Sequence, residues 1–202
     1  SLMKLQVIYV FTHDSIYVGE DGPTHQPVEQ IAALRAIPGL TILRPADAEE
    51  TQAAWSIAIS NKKGPTALAL TRENCEVFKK QDSNWKENIK KGAYIAADSD
   101  EELDLIIIAS GSEVNLALQV KEKLNKNVRV VSMPGKELFE MQDTDYKNAV
   151  IPKNKKRVVI EAGIKQGWEG IAGDDGVIIA IDKYGESGPY PIVGDAFGFT
   201  VD

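Results

Sequence analysis

Both histidines of the chain lie in one short segment, residues 13–25, which we call the histidine loop. Asp21 lies between His13 and His25, and two glycines and a proline allow the sharp turns that bring backbone close to a ligand. Histidine transfers protons near neutral pH, and as an imidazolium it donates hydrogen bonds to phosphate. The alternative interpretation is a surface turn that happens to contain two histidines, because spacing alone does not establish a site.

Arg72 is a second candidate for ligand binding. It follows a predicted strand at residues 66–70, and its guanidinium group can bind a phosphate through two donors. His13 directly follows another predicted strand, at residues 5–11. If the two strands are parallel in one sheet, Arg72 and the histidine loop emerge at the same edge, where ligands of open α/β sheets bind. Arg72 taken alone is equally typical of a surface arginine.

The elements that must position these residues alternate along the chain. Short apolar runs predict strands at residues 5–11, 41–43, 66–70, 103–109, 128–132, 157–160 and 177–181. Helical spacing of apolar residues predicts helices at 27–37, 47–59, 112–124 and 142–150. The first of these helices begins at a proline, and Asp47 with Glu50 resembles a capping box for the second. This alternation predicts mostly parallel sheets with helices on both faces.

The polar, aperiodic stretch at residues 73–91 separates two such alternating halves. We therefore expect an α/β protein with two three-layer domains. Other features indicate no chemistry. Gly111 and Ser112 lack the spaced glycines of a dinucleotide site, residues 185–189 have the composition of a surface connection, and Cys75 has no histidine close in sequence. Two histidines and scattered carboxylates also make no metal motif.

Composition excludes several classes of partner. The 202 residues are 43% hydrophobic and 26% charged, with a formal net charge of -7, so the chain is globular and a poor ligand for nucleic acid. No apolar run is long enough to span a bilayer, and we expect no membrane partner. Cys75 is the only cysteine, which excludes an internal disulfide and favours a cytoplasmic location.

The histidine loop and its flanks resemble the signature of the transketolase family. The matching residues are Phe11-Thr-His-Asp-Ser-Ile and Gly-Glu-Asp-Gly-Pro-Thr-His-Gln-Pro27. The resemblance continues through Leu34-Arg-Ala-Ile-Pro-Gly, Arg44-Pro-Ala-Asp47, Leu70-Thr-Arg72, Glu161-Ala-Gly163, Tyr184-Gly-Glu-Ser187 and Phe197-Gly-Phe-Thr-Val-Asp202. It covers essentially the whole chain, whose first predicted strand begins almost at once, and therefore predicts a C-terminal piece of a transketolase.

The resemblance implies both an activity and a domain organisation. Transketolases transfer a two-carbon ketol unit from a ketose phosphate to an aldose phosphate in the pentose phosphate pathway, as homodimers that use thiamin diphosphate and Mg²⁺ or Ca²⁺. By resemblance, residues 1–78 are the C-terminal part of the pyrimidine-binding domain, 79–91 a linker, and 92–202 a Rossmann-like C-terminal domain. Because the first domain is then incomplete, we expect the isolated chain to be inactive and to bind no cofactor.

Four positions match the substrate contacts of the family. By resemblance, His13 and Arg72 hold the substrate phosphate, Asp21 contacts a substrate hydroxyl and favours its configuration, and His25 contacts the C1 hydroxyl and carbonyl region. No catalytic residue, cofactor ligand or metal ligand is carried over, because the family's aminopyrimidine and diphosphate motifs have no counterpart in this sequence. Tyr17 departs from the signature, since relatives often have a smaller residue there.

Two other functions are compatible with these residues. A related dihydroxyacetone synthase would keep the enzyme class and use formaldehyde as the acceptor. A natural non-catalytic module would instead use its α/β surface to bind a partner protein.

Overall fold

The computed structural model describes residues 1–202, which form two α/β units. The first unit has a parallel three-stranded sheet in the order β1-β3-β2, with strands β1 (Ile8–Thr12), β2 (Thr41–Leu43) and β3 (Thr66–Leu70). Helices α1 (Gln30–Arg35) and α2 (Ala48–Ser60) connect these strands. Thr12 lies opposite Leu70, so β1 and β3 end at the same sheet edge. The predicted shared edge is thus confirmed.

Strand β1 is shorter and more exposed than the sequence predicted. The expected buried strand at 5–11 is Ile8–Thr12 in the structure, and Tyr9 and Phe11 are 44% and 45% exposed. Their rings stack with centroids 6.1 Å apart. The prediction of a buried strand was wrong because β1 is an edge strand that pairs only with β3. An apolar run does not distinguish an edge strand from a central one.

Helix α1 begins three residues later than predicted and ends two residues earlier. The backbone N–H of Val28 donates to the Gln30 side chain at 2.8 Å, and the Val28 carbonyl accepts from Ile164 N at 3.1 Å. These bonds hold residues 27–29 in a non-helical connection to the second unit. Ile37, expected on the apolar stripe, lies beyond the helix and is 41% exposed. Tertiary contacts therefore override the helical pattern at the helix start, and Pro38 disfavours helical backbone at Ile37.

Helix α2 begins with the cap that its sequence predicted. Asp47 Oδ1 accepts from Glu50 N at 2.8 Å, and Glu50 Oε2 accepts from Ala46 N at 2.8 Å. Two backbone N–H groups at the helix start are thereby satisfied. The carboxylate of Asp47 also pairs with Lys80, which ties the helix start to the following polar stretch.

That polar stretch carries more structure than its composition indicated. Within residues 73–91 lie helix α3 (Trp85–Asn88) and a 3-10 turn (Ile89–Lys91). Ile89 is 1% exposed and belongs to the main hydrophobic core. Lys80 Nζ also donates to Glu49 at 2.8 Å. The segment thus packs against both units.

The second unit has a five-stranded sheet in the order β4-β6-β5-β7-β8. Its strands are β4 (Tyr94–Ala97), β5 (Leu105–Ala109), β6 (Val128–Ser132), β7 (Lys156–Ile160) and β8 (Val177–Ile179). Its helices are α4 (Glu113–Lys123), α5 (Lys136–Glu140), α6 (Thr144–Val150), α7 (Glu169–Ala172) and α8 (Tyr190–Ala196). Strands β5 to β8 are parallel and β4 is antiparallel to β6, so the predicted mostly parallel α/β fold is confirmed. The sequence did not predict β4, α5, α7 or α8.

Alternate residues of the second sheet pack into two cores. Ile107 and Val130 belong to one cluster, whereas Ile106 and Ile108 belong to the other, as the two-residue period of a strand requires. The first cluster also contains Ile16 of the histidine loop, so the core of the second unit extends beneath that loop. No helix in the structure has the length and apolar character needed to cross a membrane.

Candidate active site

The structure brings Arg72 and the histidine loop together. His13 follows β1, and the next residue, Asp14, donates its backbone N–H to the Leu70 carbonyl at 3.1 Å, at the end of β3. Arg72 lies two residues beyond Leu70, and its Nη1 donates to the Val18 carbonyl within the loop at 3.1 Å. The Arg72 side chain is 40% exposed, and its Nη1 lies 3.6 Å from Glu73 Oε1. Its guanidinium group therefore borders the loop and still faces solvent.

The histidine loop has an unusual backbone. His13 and Ser15 have φ values of 66° and 64°, in the left-handed region that non-glycine residues rarely adopt. A 3-10 helix (Ile16–Asp21) follows, and Ser15 Oγ accepts from Tyr17 N at 3.3 Å at its start. Asp21 is the last residue of this helix, and Gly22 then turns the chain with φ 76°. Strained backbone of this kind is common at functional sites.

The four candidate side chains are exposed. His13 Nδ1 lies 2.9 Å from Thr12 Oγ1, and His25 Nδ1 lies 2.9 Å from Thr24 Oγ1, so each ring is hydrogen-bonded to its neighbouring threonine. The carboxylate of Asp21 is exposed at the same loop. Polar groups that face solvent in this way are free to bind a polar ligand. The arrangement offers a guanidinium, two imidazoles and a carboxylate, which can recognise an anion that also bears hydroxyl groups.

Beneath the loop lies a buried charged network that sequence reasoning did not find. Arg44, 1% exposed, donates from Nε to Asp14 Oδ2 at 2.6 Å and pairs with Glu113. Arg44 Nη1 also donates to the Ser110 carbonyl at 3.1 Å and lies 3.4 Å from Glu161 Oε2. Arg44 and Asp14 belong to the first unit, whereas Glu113 and Glu161 belong to the second. The resemblance includes Arg44 and Glu161 in family motifs, which was the available signal, but it assigns them no contact.

Burial and charge shift the pKa values in this network. Burial lowers the pKa of Arg44, but the carboxylates of Asp14, Glu113 and Glu161 more than offset it and raise that pKa well above its usual value. Burial raises the pKa of Glu113, against the opposing effect of Arg44. Burial, followed by the charge of Glu113, also raises the pKa of Tyr17, so its phenol stays protonated. We call this network, in which Arg44 of the first unit pairs with Asp14, Glu113 and Glu161, the junction between the two units.

Gly111 is part of this junction. It has φ 58°, and a Cβ there would lie 2.7 Å from Arg44 Cζ. The turn between β5 and α4 is thus filled by the Arg44 side chain, as a plain structural turn would be. A side chain at Gly111 would displace the guanidinium from its carboxylates.

A segment near the C-terminus also closes on the loop. Gln26 Nε2 donates to the Gly19 carbonyl at 2.8 Å and to the Glu186 carbonyl at 2.9 Å. Ser187 Oγ donates to the Glu20 carbonyl at 2.7 Å. Residues 185–189 are a largely exposed connection, as predicted, and they also contact the histidine loop, which was not predicted. No spacing in the sequence could indicate a contact between residues 160 positions apart.

Tyr17, the departure noted in the signature, packs against this same segment. A Cβ on Gly194 of α8 would lie 3.2 Å from Tyr17 Cε1, so the small residue makes room for the tyrosine ring.

No group of three His, Cys, Asp or Glu side chains is arranged to hold a metal ion.

Comparison with known proteins identifies both units. Residues 1–77 match the family model described as transketolase, pyrimidine binding domain, and residues 92–200 match the transketolase-like TK C-terminal domain. Transketolase from Halalkalibacterium halodurans is 48% identical over 205 residues, covering 100% of this chain and 31% of that protein. A probable transketolase from Streptococcus pneumoniae is also 48% identical, over 206 residues, with the same coverage.

Solved structures agree with the sequence comparison. Transketolase from Leishmania mexicana matches with a TM-score of 0.90 and 45% identity, over 97% of this chain and 28% of that chain. A Pichia stipitis transketolase solved with sedoheptulose 7-phosphate matches with a TM-score of 0.91 and 36% identity, over 99% of this chain and 29% of that chain. The chain thus spans under a third of the length of these four relatives, and it belongs to the transketolase family.

Proposed function

We propose that this chain supplies the sugar-phosphate-binding wall of a transketolase active site in a longer protein. The observation that carries the proposal is the approach of Arg72 to the histidine loop at the common end of β1 and β3. That edge is where open α/β sheets bind ligands. The relative from Pichia stipitis solved with a sugar phosphate supports the same class of ligand.

Each exposed side chain has a role that suits its chemistry. Arg72 binds the phosphate through its forked donors, and His13 donates a further hydrogen bond to that group. Asp21 accepts a hydrogen bond from a substrate hydroxyl and so favours one configuration. His25 contacts the C1 hydroxyl and carbonyl of the ketose, next to the bond that breaks when the two-carbon unit moves to the aldose phosphate. These are positioning contacts, and they act by orienting the substrate.

Thiamin diphosphate and a divalent cation supply the carbanion chemistry of the family. The residues of this chain do not fit the metal, because no three suitable ligands converge. Neither group is therefore assigned a ligand here, and the isolated chain is expected to be inactive. For the whole protein we propose a cytoplasmic homodimer that acts on sugar phosphates.

Replacement of Arg72 tests the phosphate role. In the full-length protein, Arg72→Ala removes a contact remote from the reacting carbon, and a hydrogen bond between charged groups contributes about 1.5–3 kcal/mol. We expect the KM for ribose 5-phosphate to rise about 10- to 100-fold, with a smaller change in kcat. Arg129→Ala is the matched control, because Arg129 pairs with Asp98 in the second unit. An unchanged KM in Arg72→Ala would refute the phosphate role.

Acceptor choice and fragment activity test the rest of the proposal. The full-length protein is assayed with ribose 5-phosphate and with formaldehyde, and faster turnover of formaldehyde would favour the dihydroxyacetone synthase alternative. The isolated 202-residue chain is assayed with added thiamin diphosphate and Mg²⁺. Ketol transfer by that chain alone would contradict its assignment as one wall of an incomplete site.

A further inference from the structure

The side chains proposed to bind substrate do not fix their own positions. Each histidine ring is hydrogen-bonded to the adjacent threonine, and Asp21 is exposed at the end of a 3-10 helix. The backbone of the loop is left-handed at His13 and Ser15. Such a conformation persists only where the surroundings determine it. The residues that hold the loop must therefore be found among its buried neighbours.

A first anchor holds the start of the loop. Asp14 lies between the two left-handed residues, is 4% exposed, and accepts from Arg44 Nε at 2.6 Å. Through Arg44 it is connected to Glu113 and Glu161 of the second unit. Hydrogen bonds between charged groups are shorter and more directional than neutral ones, so this pair fixes the position of Asp14. The second unit thus fixes the backbone on which His13 stands.

A second anchor holds the middle and end of the loop. Gln26, 4% exposed and directly after His25, donates one hydrogen bond within the loop, to Gly19, and one to Glu186 of the second unit. Gly185 faces the Gln26 amide so closely that a Cβ there would lie 1.5 Å from Gln26 Oε1. Ser187 adds its bond to the Glu20 carbonyl, next to Asp21.

We propose that the second unit, residues 92–202, is the clamp that holds the histidine loop in its binding conformation. Gln26 and Ser187 are positioning residues of this clamp, and the Asp14–Arg44 pair is its other attachment. The inference deepens the proposed function and rests on it for the identity of the ligand. It assigns to the second unit a task in substrate binding, although that unit contributes none of the four exposed candidate side chains.

The two histidines make the clamp measurable, because the chain has no others. We compare the ring ¹⁵N and ¹H NMR signals of the chain with those of Gln26→Ala and of the milder variant Ser187→Ala. Gln142→Ala is the matched control, since Gln142 Nε2 donates to the Leu138 carbonyl at 2.7 Å in the second unit. The clamp predicts shifted and broadened signals of both rings in Gln26→Ala, a smaller change in Ser187→Ala, and none in the control. Backbone amide signals that keep their positions outside the histidine loop separate this effect from unfolding.

Unchanged ring signals in both Gln26→Ala and Ser187→Ala would overturn the inference. Gln26→Ala in the full-length protein tests the link to function, where a displaced loop should raise the KM for ribose 5-phosphate about tenfold or more. Shifted ring signals with an unchanged KM would uphold the clamp and refute the proposed substrate role of the loop. The two failures are thereby distinguished.

Discussion

The three-stranded sheet of the first unit and the five-stranded sheet of the second are buried to very different extents. In β1, four of the five residues are exposed, whereas in β5 the last four of five are buried. All four candidate site residues belong to the first unit, and all four are exposed. Exposed ligand-binding side chains on a weakly buried unit need contacts with a more rigid part of the protein to hold their positions. The second unit, which contains most of the two large hydrophobic clusters, can provide those contacts.

The junction between the two units differs from both. It is buried like a core, yet it contains Arg44 among three carboxylates beside its apolar side chains. Buried ion pairs add little net stability compared with apolar packing, but they are strongly damaged when one partner is removed. They also require a particular geometry, which apolar contacts do not. A charged junction therefore suits a contact whose task is to orient a loop.

Removing the cation of the junction should have the largest effect. Arg44→Ala leaves Asp14 and Glu113 buried without a cationic partner, whereas Glu161 keeps Arg35 at 3.5 Å. Loss of one member of a buried pair costs about 3–5 kcal/mol. Urea denaturation should show this loss in the free energy of unfolding. Lys90→Ala, which breaks an exposed pair with Glu87, should cost about 1 kcal/mol or less. Equal losses in the two variants would contradict the special role of the junction.

Truncation of one branched apolar side chain in each sheet tests the difference in burial directly. Ile106 in β5 is 0% exposed and Val10 in β1 is 43% exposed. Ile106→Ala should lower the free energy of unfolding by about 2–5 kcal/mol, because it leaves a cavity in the core. Val10→Ala should change it by about 0.5 kcal/mol or less. A large loss in Val10→Ala would show that β1 is covered in solution.

The same difference in burial explains which parts of the fold could be predicted. Strands β2, β3 and β6 have the bounds that their apolar runs predicted, because those runs are short and flanked by turns. The shared edge of β1 and β3 followed from parallel pairing, and so did the approach of Arg72 to the histidine loop. Strand β4 was not predicted, because Tyr94-Ile-Ala-Ala follows a polar stretch and has little β-branched character.

The junction could not be predicted, because its contacts are distant in sequence. Arg44 bonds to Asp14, Glu113 and Glu161, which are 30, 69 and 117 positions away. Local periodicity contains no information on such pairs. The four exposed residues were accessible to sequence reasoning because a compact motif contains three of them. The residues that hold them in place are single members of distant segments.

The hydrogen bond from Tyr94 to the buried carboxylate of Glu50 is a second polar contact between the units, and its removal should have a smaller effect than Arg44→Ala. Tyr94 in β4 donates to Glu50 Oε1 of α2 at 2.7 Å, and Ser132 donates to the same oxygen at 2.6 Å. Burial raises the pKa of Glu50, while these two hydrogen bonds and that from Ala46 lower it and Asp47 raises it. Tyr94→Phe should therefore raise this pKa further and reduce stability by about 1.5–3 kcal/mol at neutral pH.

The sign of the pH dependence follows from that shift. A carboxyl group whose pKa is raised by folding loses stability as the pH rises through its folded pKa, and the loss is larger when the pKa is higher. The deficit of Tyr94→Phe should thus shrink as the pH falls toward the ordinary glutamate value of 4.5. Tyr146→Phe removes a bond to the Ala93 carbonyl at 2.7 Å and should cost about 1 kcal/mol at every pH. Parallel pH profiles for the two variants would count against an ionised Glu50.

The smallest expected effect is chemical and leaves the fold intact. Cys75 follows β3 in the first unit, half-buried near the junction, and its pKa is raised to about 11, first by burial and then by the charges of Glu113 and Asp14. The thiolate is the reactive form, and at pH 8 only about one Cys75 side chain in a thousand is a thiolate. Alkylation by iodoacetamide should be slow in the folded chain and faster as the pH rises toward 11. In urea its rate should equal that of a free cysteine. Fast alkylation at pH 8 would show that the thiol of Cys75 has an ordinary pKa, so that neither burial nor the charges of the junction affect it. The contrast between an exposed site and a buried, acidic junction would then apply only to the residues that contact Arg44.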